Sequence, residues 1–213
     1  LSGMDYFDYR EQCDAFASLA AQMVFQEGRL VTGRDLAERV MSIKVSRNLF
    51  DTLGCPPLQG RSFVAEEEVL NGPPAVVVSH GFWQRQLGGR TEAIGTALTI
   101  GGTAYDIVGV MPAEFDYPQG IDLWFPMQRG GPDETDRGNN NFVMIGRLGP
   151  HVSLDQAQSQ MDAAARRISE AYPDVKRGWG AAVTPLREEF FGNLRPLMWT
   201  LTEIGRASCR ERV

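Results

Sequence analysis

The hydrophobic pattern of this chain changes period twice. From Gly60 to Asn140 the apolar residues fall into short β-branched or aromatic runs separated by Gly and Pro, whereas helical spacing is confined to the flanks. A chain patterned in this way is expected to fold as a mixed α/β (α+β) protein with a strand-rich middle. Its 213 residues suit one or two domains, and a hydrophobic share of 43% supplies a core.

Along the first flank, Tyr6, Tyr9, Cys13, Phe16, Ala20 and Met23 recur at helical spacing, which predicts one amphipathic helix from Tyr6 to Met23. Met41, Ile43 and Val45 alternate with Ser42 and Lys44, the pattern of a half-buried strand from Arg39 to Ser46. A short helix from Arg47 to Leu53 is expected to stop at Gly54, and Pro56-Pro57 then forces extended chain. In the middle, Ala75 to Val78 reads as a strand, followed by a short helix through Phe82 and Trp83 to Leu87. Leu98 to Ile100, Gly101-Gly102 and Thr103 to Val110 read as a hairpin, since its tight turn needs positive φ. Leu123 to Phe125 makes another short strand, and Gly130 to Asn141 is loop. Phe142 to Leu148 is a strand. Ser153 and Gln156 have capping-box spacing at the head of a long helix, whose apolar stripe is Leu154, Ala157, Met161, Ala164, Ile168 and Tyr172 and whose stop is Pro173. Gly180 to Leu186 reads as a last strand.

Composition excludes several function classes. A net charge of -6 argues against a general nucleic-acid binder, which needs a basic stripe to neutralise phosphates. Three cysteines without a close pair exclude a disulfide scaffold or zinc ribbon, and two histidines leave little for a histidine-rich metal site. Gly89 to Thr96 superficially suggests a phosphate loop but lacks the lysine that would meet the phosphates.

Ser79-His80 at a strand end invites a hydrolase reading. However, no Gly-x-Ser-x-Gly elbow surrounds it, and the structural alternative is a helix N-cap followed by a polar first-turn residue. His151 stands alone in a turn without companion ligands. Glu66-Glu67-Glu68 is read as an exposed loop or first helical turn rather than a cation site. Trp83, Trp124 and Trp179 are read as core or seam anchors rather than an aromatic cage, and Cys13 as buried and inert; Cys55 falls in a loop. No catalytic, cofactor-binding or metal-binding residue is assigned.

The ends carry separate information. Residues 204–213 lack apolar periodicity and resemble a sequencing adapter read through in frame, a basic tail being the alternative; they are set apart from the fold. The chain opens at Leu1 rather than Met, and it is read as a fragment cut at both ends. No window reaches the roughly 18 apolar residues that span a bilayer. Phe190 to Leu201 grows more apolar along its length, and Arg195 and Trp199 fit either the flank of a membrane helix or an amphipathic C-terminal helix.

Several separated stretches resemble the MacB-type periplasmic core domain of FtsX-like ABC transporter permeases. They are Val45-Ser46-Arg47-Asn48-Leu49-Phe50 with Leu53-Gly54; Gly60-Arg61-Ser62-Phe63; Val76 to Ser79 with Phe82-Trp83 and Leu87-Gly88; Ile94-Gly95; and Tyr105 to Pro112. Phe115, Pro118, Leu123 to Pro126, Gly146-Arg147-Leu148, Pro150, Ser153 and Gln156-Ala157 follow in order. His151 departs from the pattern, where glycine is the more frequent residue, and that puts the turn's conformation in question.

The resemblance implies a porter-like split α/β layer, made of residues 1–56 plus 141–203, with an inserted β-rich lobe at 57–140. It implies a domain on the periplasmic side of the inner membrane, between the first and second transmembrane helices. No cofactor and no catalysis of its own are expected. The implied partners are a second permease half or homodimer partner, a cytoplasmic ATPase acting through the membrane helices, and a periplasmic adaptor. Two other readings stay open: a free-standing periplasmic ligand-binding protein, and a secreted serine hydrolase using Ser79 and His80.

Overall fold

The computed structural model describes residues 1–32 and 37–191. The expected membrane flank at Arg195 and Trp199 and the terminal segment 204–213 lie outside the described residues. In chain order the elements are α1 (Gly3–Gln12), β1 (Phe16–Met23), β2 (Glu27–Thr32), β3 (Glu38–Val45), α2 (Leu49–Leu53), β4 (Gln59–Gly60), β5 (Ala75–Val78), α3 (His80–Leu87), β6 (Ala97–Ile100), β7 (Thr103–Val110), β8 (Leu123–Pro126), α4 (Pro132–Thr135), β9 (Phe142–Leu148), α5 (Leu154–Ala171), α6 (Pro173–Lys176) and α7 (Leu186–Phe191). The fold is mixed α+β, as the alternating patterns require.

The strands follow the order β2-β6-β7-β5-β8-β3-β1-β9, and β2 also pairs with β3. That extra pairing closes six strands into a ring, leaving β1 and β9 as a ribbon running off β3. Side chains from one face of all six ring strands meet in a single cluster: Val31, Val40, Val76, Leu98, Ile107 and Leu123 among them. One face of a closed ring can converge like this only on its inside. Phe82, Trp83 and Leu87 of α3 join the cluster. The opposite faces of β3, β5 and β8 contribute Ile43, Val77 and Trp124 to a second core, shared with α1, α2, β1, β9 and α5.

Local chemistry sets the boundaries. The Ser2 hydroxyl accepts from the Asp5 N–H (3.2 Å) and the Asp5 carboxylate accepts from the Ser2 N–H (2.9 Å), capping α1. Gly54 ends α2 at φ +73°, as a left-handed C-cap. Ser153 and Gln156 form the expected capping box on α5, and Gly101-Gly102 turn the β6–β7 hairpin at φ +57° and +87°. Gly60 lies opposite Gly109, and a β-carbon on Gly60 would sit 2.2 Å from the Val108 carbonyl oxygen, so β4 approaches β7 only without side chains there.

Three sequence expectations are corrected, the first being that Gly130 to Asn141 is not all loop but holds the short helix α4, Pro132–Thr135. The helix foreseen from Tyr6 to Met23 ends at Gln12, and Phe16–Met23 is strand β1. Pairing with β9 along its whole length, and burial of Leu19 to Met23 on both faces, override the helical spacing. The strand foreseen at Gly180 to Leu186 does not form. The Gln158 side-chain amide takes its backbone instead, donating to the Ala181 carbonyl (2.8 Å) and accepting from the Val183 N–H (2.7 Å). Strand β2 was not foreseen. Its Glu-Gly-Arg-Leu-Val-Thr sequence is polar, and tertiary pairing rather than pattern makes it a strand.

Phe50 lies at the heart of the second core, with ring centroids 5.7 Å from Phe115, 5.9 Å from Trp124 and 6.2 Å from Phe63. Phe50→Ala should lower unfolding free energy by about 3–5 kcal/mol. Urea denaturation followed by tryptophan fluorescence measures this, and a loss below about 1 kcal/mol would contradict the packing described.

Candidate functional site

The polar side chains converge at one junction beside the ribbon. After β4 the chain makes a 3-10 turn, Ala65–Glu68, in which Glu66 is exposed but Glu67 and Glu68 are buried. The acidic run was expected to be exposed, and guanidinium partners make its burial tolerable. Arg61 donates to both Glu67 oxygens (2.7 and 3.1 Å), while the Val64 N–H donates to the same carboxylate (2.9 Å). That charge-assisted pair raises the Arg61 pKa further. Glu68 receives Arg10 from α1 at 3.2 Å and the Arg47 guanidinium at 3.4 Å. The backbone N–H of Arg129 donates to the Glu68 carbonyl (2.7 Å). One acidic residue thus ties together α1, the β3–α2 turn and the strand-end loop at 129.

The Val45-Ser46-Arg47-Asn48 stretch supplies the other half of this junction. Ser46 accepts the Ala21 N–H (2.9 Å) and donates to Asn48 (2.9 Å). Asn48 in turn donates to the Leu19 carbonyl (2.9 Å) and the Ser18 hydroxyl (3.1 Å). Tyr6 of α1 donates to the same Leu19 carbonyl (3.2 Å). Sequence reading used this stretch for the family resemblance; the polar clamp on β1 needs the pairing of β1 to be known, and no linear spacing announces it.

A second knot surrounds Asp5. Arg137 lies 3.1 Å and Lys176 2.5 Å from its carboxylate, and the buried Lys176 also donates to Asn140 (2.9 Å). Arg137 reaches Asp8 as well (2.7 Å) and stacks on Tyr172 at 3.8 Å. Tyr9, on the same helix, has its phenol pushed up to about 12, first by burial and then by Asp5.

The remaining candidates are not brought together. Ser79 is the N-cap of α3: its hydroxyl accepts the Phe82 N–H (3.0 Å) and donates to Asp122 (3.3 Å), while the His80 ring packs edge-on to Trp83 at 5.4 Å. That is the structural alternative weighed for the pair, and the serine proton already has an acceptor. His151 adopts φ +64°, so the left-handed turn typical of glycine is kept with a histidine in it. Among the described residues no group of three or more His, Cys, Asp or Glu could hold a metal ion. Trp83 belongs to the ring core and donates to the Arg90 carbonyl (2.8 Å), Trp124 is in the second core, and Trp179 is exposed, so they form no cage. Cys13 and Cys55 are free, and burial raises the pKa of both thiols. Beside these groups runs a cavity of about 810 Å³ along β9, bordered by Leu19, Met144, Met161, Ala165, Ile168 and Leu186.

Comparisons with known proteins give one family and several similar folds. The family described as MacB-like periplasmic core domain matches residues 1–164. Among solved structures, the extracellular domain of the noncanonic ABC-type transporter YknZ from Gram-positive bacteria aligns at TM-score 0.59 and 16% identity, covering 83% of this chain and 86% of that one. The periplasmic region of MacB from Actinobacillus actinomycetemcomitans aligns at 0.61 and 12% identity, over 83% and 76% of the two chains. A domain of a putative permease protein from Porphyromonas gingivalis aligns at 0.60 and 16% identity, over 83% and 75%. No curated protein matches the chain.

Two outcomes follow from the knots. Glu68→Ala leaves Arg10 and Arg47 without their carboxylate, and because both guanidiniums reach solvent no buried charge is stranded, so the loss should be about 1–2 kcal/mol, below the cost of a broken fully buried pair. The urea midpoint reads it, and no shift would show the junction to be idle. For Tyr9 the folded pKa is above the unfolded one, so between pH 10 and about 12 the unfolded chain holds fewer protons and stability falls as pH rises. Tyr9→Phe should flatten that part of the stability-versus-pH curve.

Proposed function

This chain belongs to the MacB-like periplasmic core domain family, and from that premise we propose that it works as a coupling piece. It passes ATP-driven conformational change across the membrane, for efflux or to a periplasmic partner, and makes or breaks no covalent bond itself. It is the periplasmic core domain of a MacB-like ABC transporter permease; the transmission, the partners and the membrane in which it sits are the proposal.

The observation that carries this reading is the convergence at Glu68. Motion delivered to α1 meets a buried carboxylate that also grips the β3–α2 turn, rather than a soft loop. Packed elements joined by buried ion pairs shift as units, which a transmitting part requires. Ser79 serves as a helix cap, and Glu67 and Glu68 are held by guanidiniums, which supports a structural over a hydrolytic use of these three residues.

In this proposal residues 1–56 with 141–203 act as the porter-like layer and 57–140 as the inserted lobe. Strands β2 and β3 bond the first into the ring of the second. The domain lies on the periplasmic side of the inner membrane. No described helix is long and apolar enough to cross a membrane, and the proposal assigns one span to flanking sequence on each side. Partners are a second permease half or a second copy, a cytoplasmic ATPase reached through the spans, and a periplasmic adaptor.

Leu58 is exposed in the loop before β4 and offers a test. With Cys55→Ser as background, Leu58→Cys in the full-length permease should react with a membrane-impermeant maleimide in intact spheroplasts. Labelling that appears only after lysis would place the domain in the cytoplasm and end the proposal.

A further inference from the structure

β9 is the last strand of the sheet path and, among the described residues, pairs with no strand but β1. Its register fixes which backbone groups face outward. The Val24 N–H donates to the Asn141 carbonyl (2.7 Å) and Gln22 stands opposite Val143, so residues 141, 143 and 145 turn their N–H and C=O toward β1. Residues 142, 144 and 146 turn theirs away. At Phe142 that outward pair is already taken. The Phe142 N–H donates to the Leu1 carbonyl (3.0 Å), and the Leu1 amino group donates to the Phe142 carbonyl (3.2 Å).

Two residues that exchange both bonds form an antiparallel hydrogen-bonded rung. The polarity of that rung points the backbone, traced back from Leu1, along β9 toward Met144 and Gly146. These two residues border the cavity, and their outward groups meet no partner among the described residues. The cavity rim also leaves large apolar side chains uncovered: Val143 is 42% exposed, Leu154 41% and Leu186 40%. The neighbouring stretch at 181–183 is held by Gln158 instead.

We propose that this cavity is the seat of an extended strand of the same polypeptide, antiparallel to β9 and joining the chain at Leu1. The residue two places before Leu1 stands opposite Met144, and the one four places before stands opposite Gly146. Side chains at alternate positions cover Val143 on one face of the sheet and pack toward Met161 and Ala165 on the other. Backbone pairing supplies the affinity, and the apolar walls select an uncharged strand.

The test compares the chain beginning at Leu1 with the same chain carrying about eight further residues encoded by its gene, enough to run the length of β9 at roughly 3.3 Å per residue. Amide hydrogen exchange at Met144 and Gly146, read by NMR, should slow by roughly tenfold or more in the longer form. Met144→Pro removes an outward N–H and spares the β1 ladder. In the longer form it should cancel the protection at Gly146 and leave exchange at Ile145 unchanged. Equal exchange in the two forms overturns the proposal. So does protection in the shorter form that rises with protein concentration, which would mean a second copy covers the edge, or a gene that encodes nothing before Leu1.

Discussion

The closure of the strand ring at β2 is the constraint on which the other features rest. β2 is polar and would not be a strand by its own preferences, yet it hydrogen-bonds β3 along five positions and β6 along two. Without it, β3 and β6 would each present an open edge and the cluster of Val31, Val40, Leu98 and Ile100 would lie open to water. With it, six strands share one interior, and their outer faces are free to build the second core. Trp124 and Val77 can therefore anchor α2 and the ribbon from strands whose alternate residues are already buried.

The second core is bordered by a polar seam where α1, β1 and the β3–α2 turn meet. Glu68, Arg10, Arg47, Ser46 and Asn48 occupy it, each satisfied by a partner from another segment. Such networks are expensive to bury, and they fix one arrangement because a shifted register would strand charges. In the relay proposed above, this kind of joint would resist small sliding and yield by moving whole elements.

Much of this architecture was legible in the chain. The β6–β7 hairpin, the Ala75–Val78 strand, the Ser79 cap and the Ser153 capping box follow from turn chemistry and local hydrogen bonding, which act within a few residues. Where distant pairing decides, the reading failed. Phe16–Met23 has helical spacing but lies between two strands, β2 has no apolar pattern, and residues 181–183 lose their strand to one glutamine side chain. The junction at Glu68 was invisible for the same reason. Its members are spread from Arg10 to Arg129, and three consecutive acids look solvated until the arginines that face them are known.

The ring also determines when the protein can become itself. β2 ends at Thr32, but its second neighbour, β6, begins only at Ala97, and β3 waits for β8 at Leu123. Contacts so far apart in sequence make nucleation slow, because long loops must close before any rung is gained. A chain emerging from its N-terminus would carry two sticky, half-finished strands until β6 at Ala97 and β8 at Leu123 had followed them. Chaperoning of that nascent stage, more than the strength of the finished barrel, would then limit how much of the protein a cell can make.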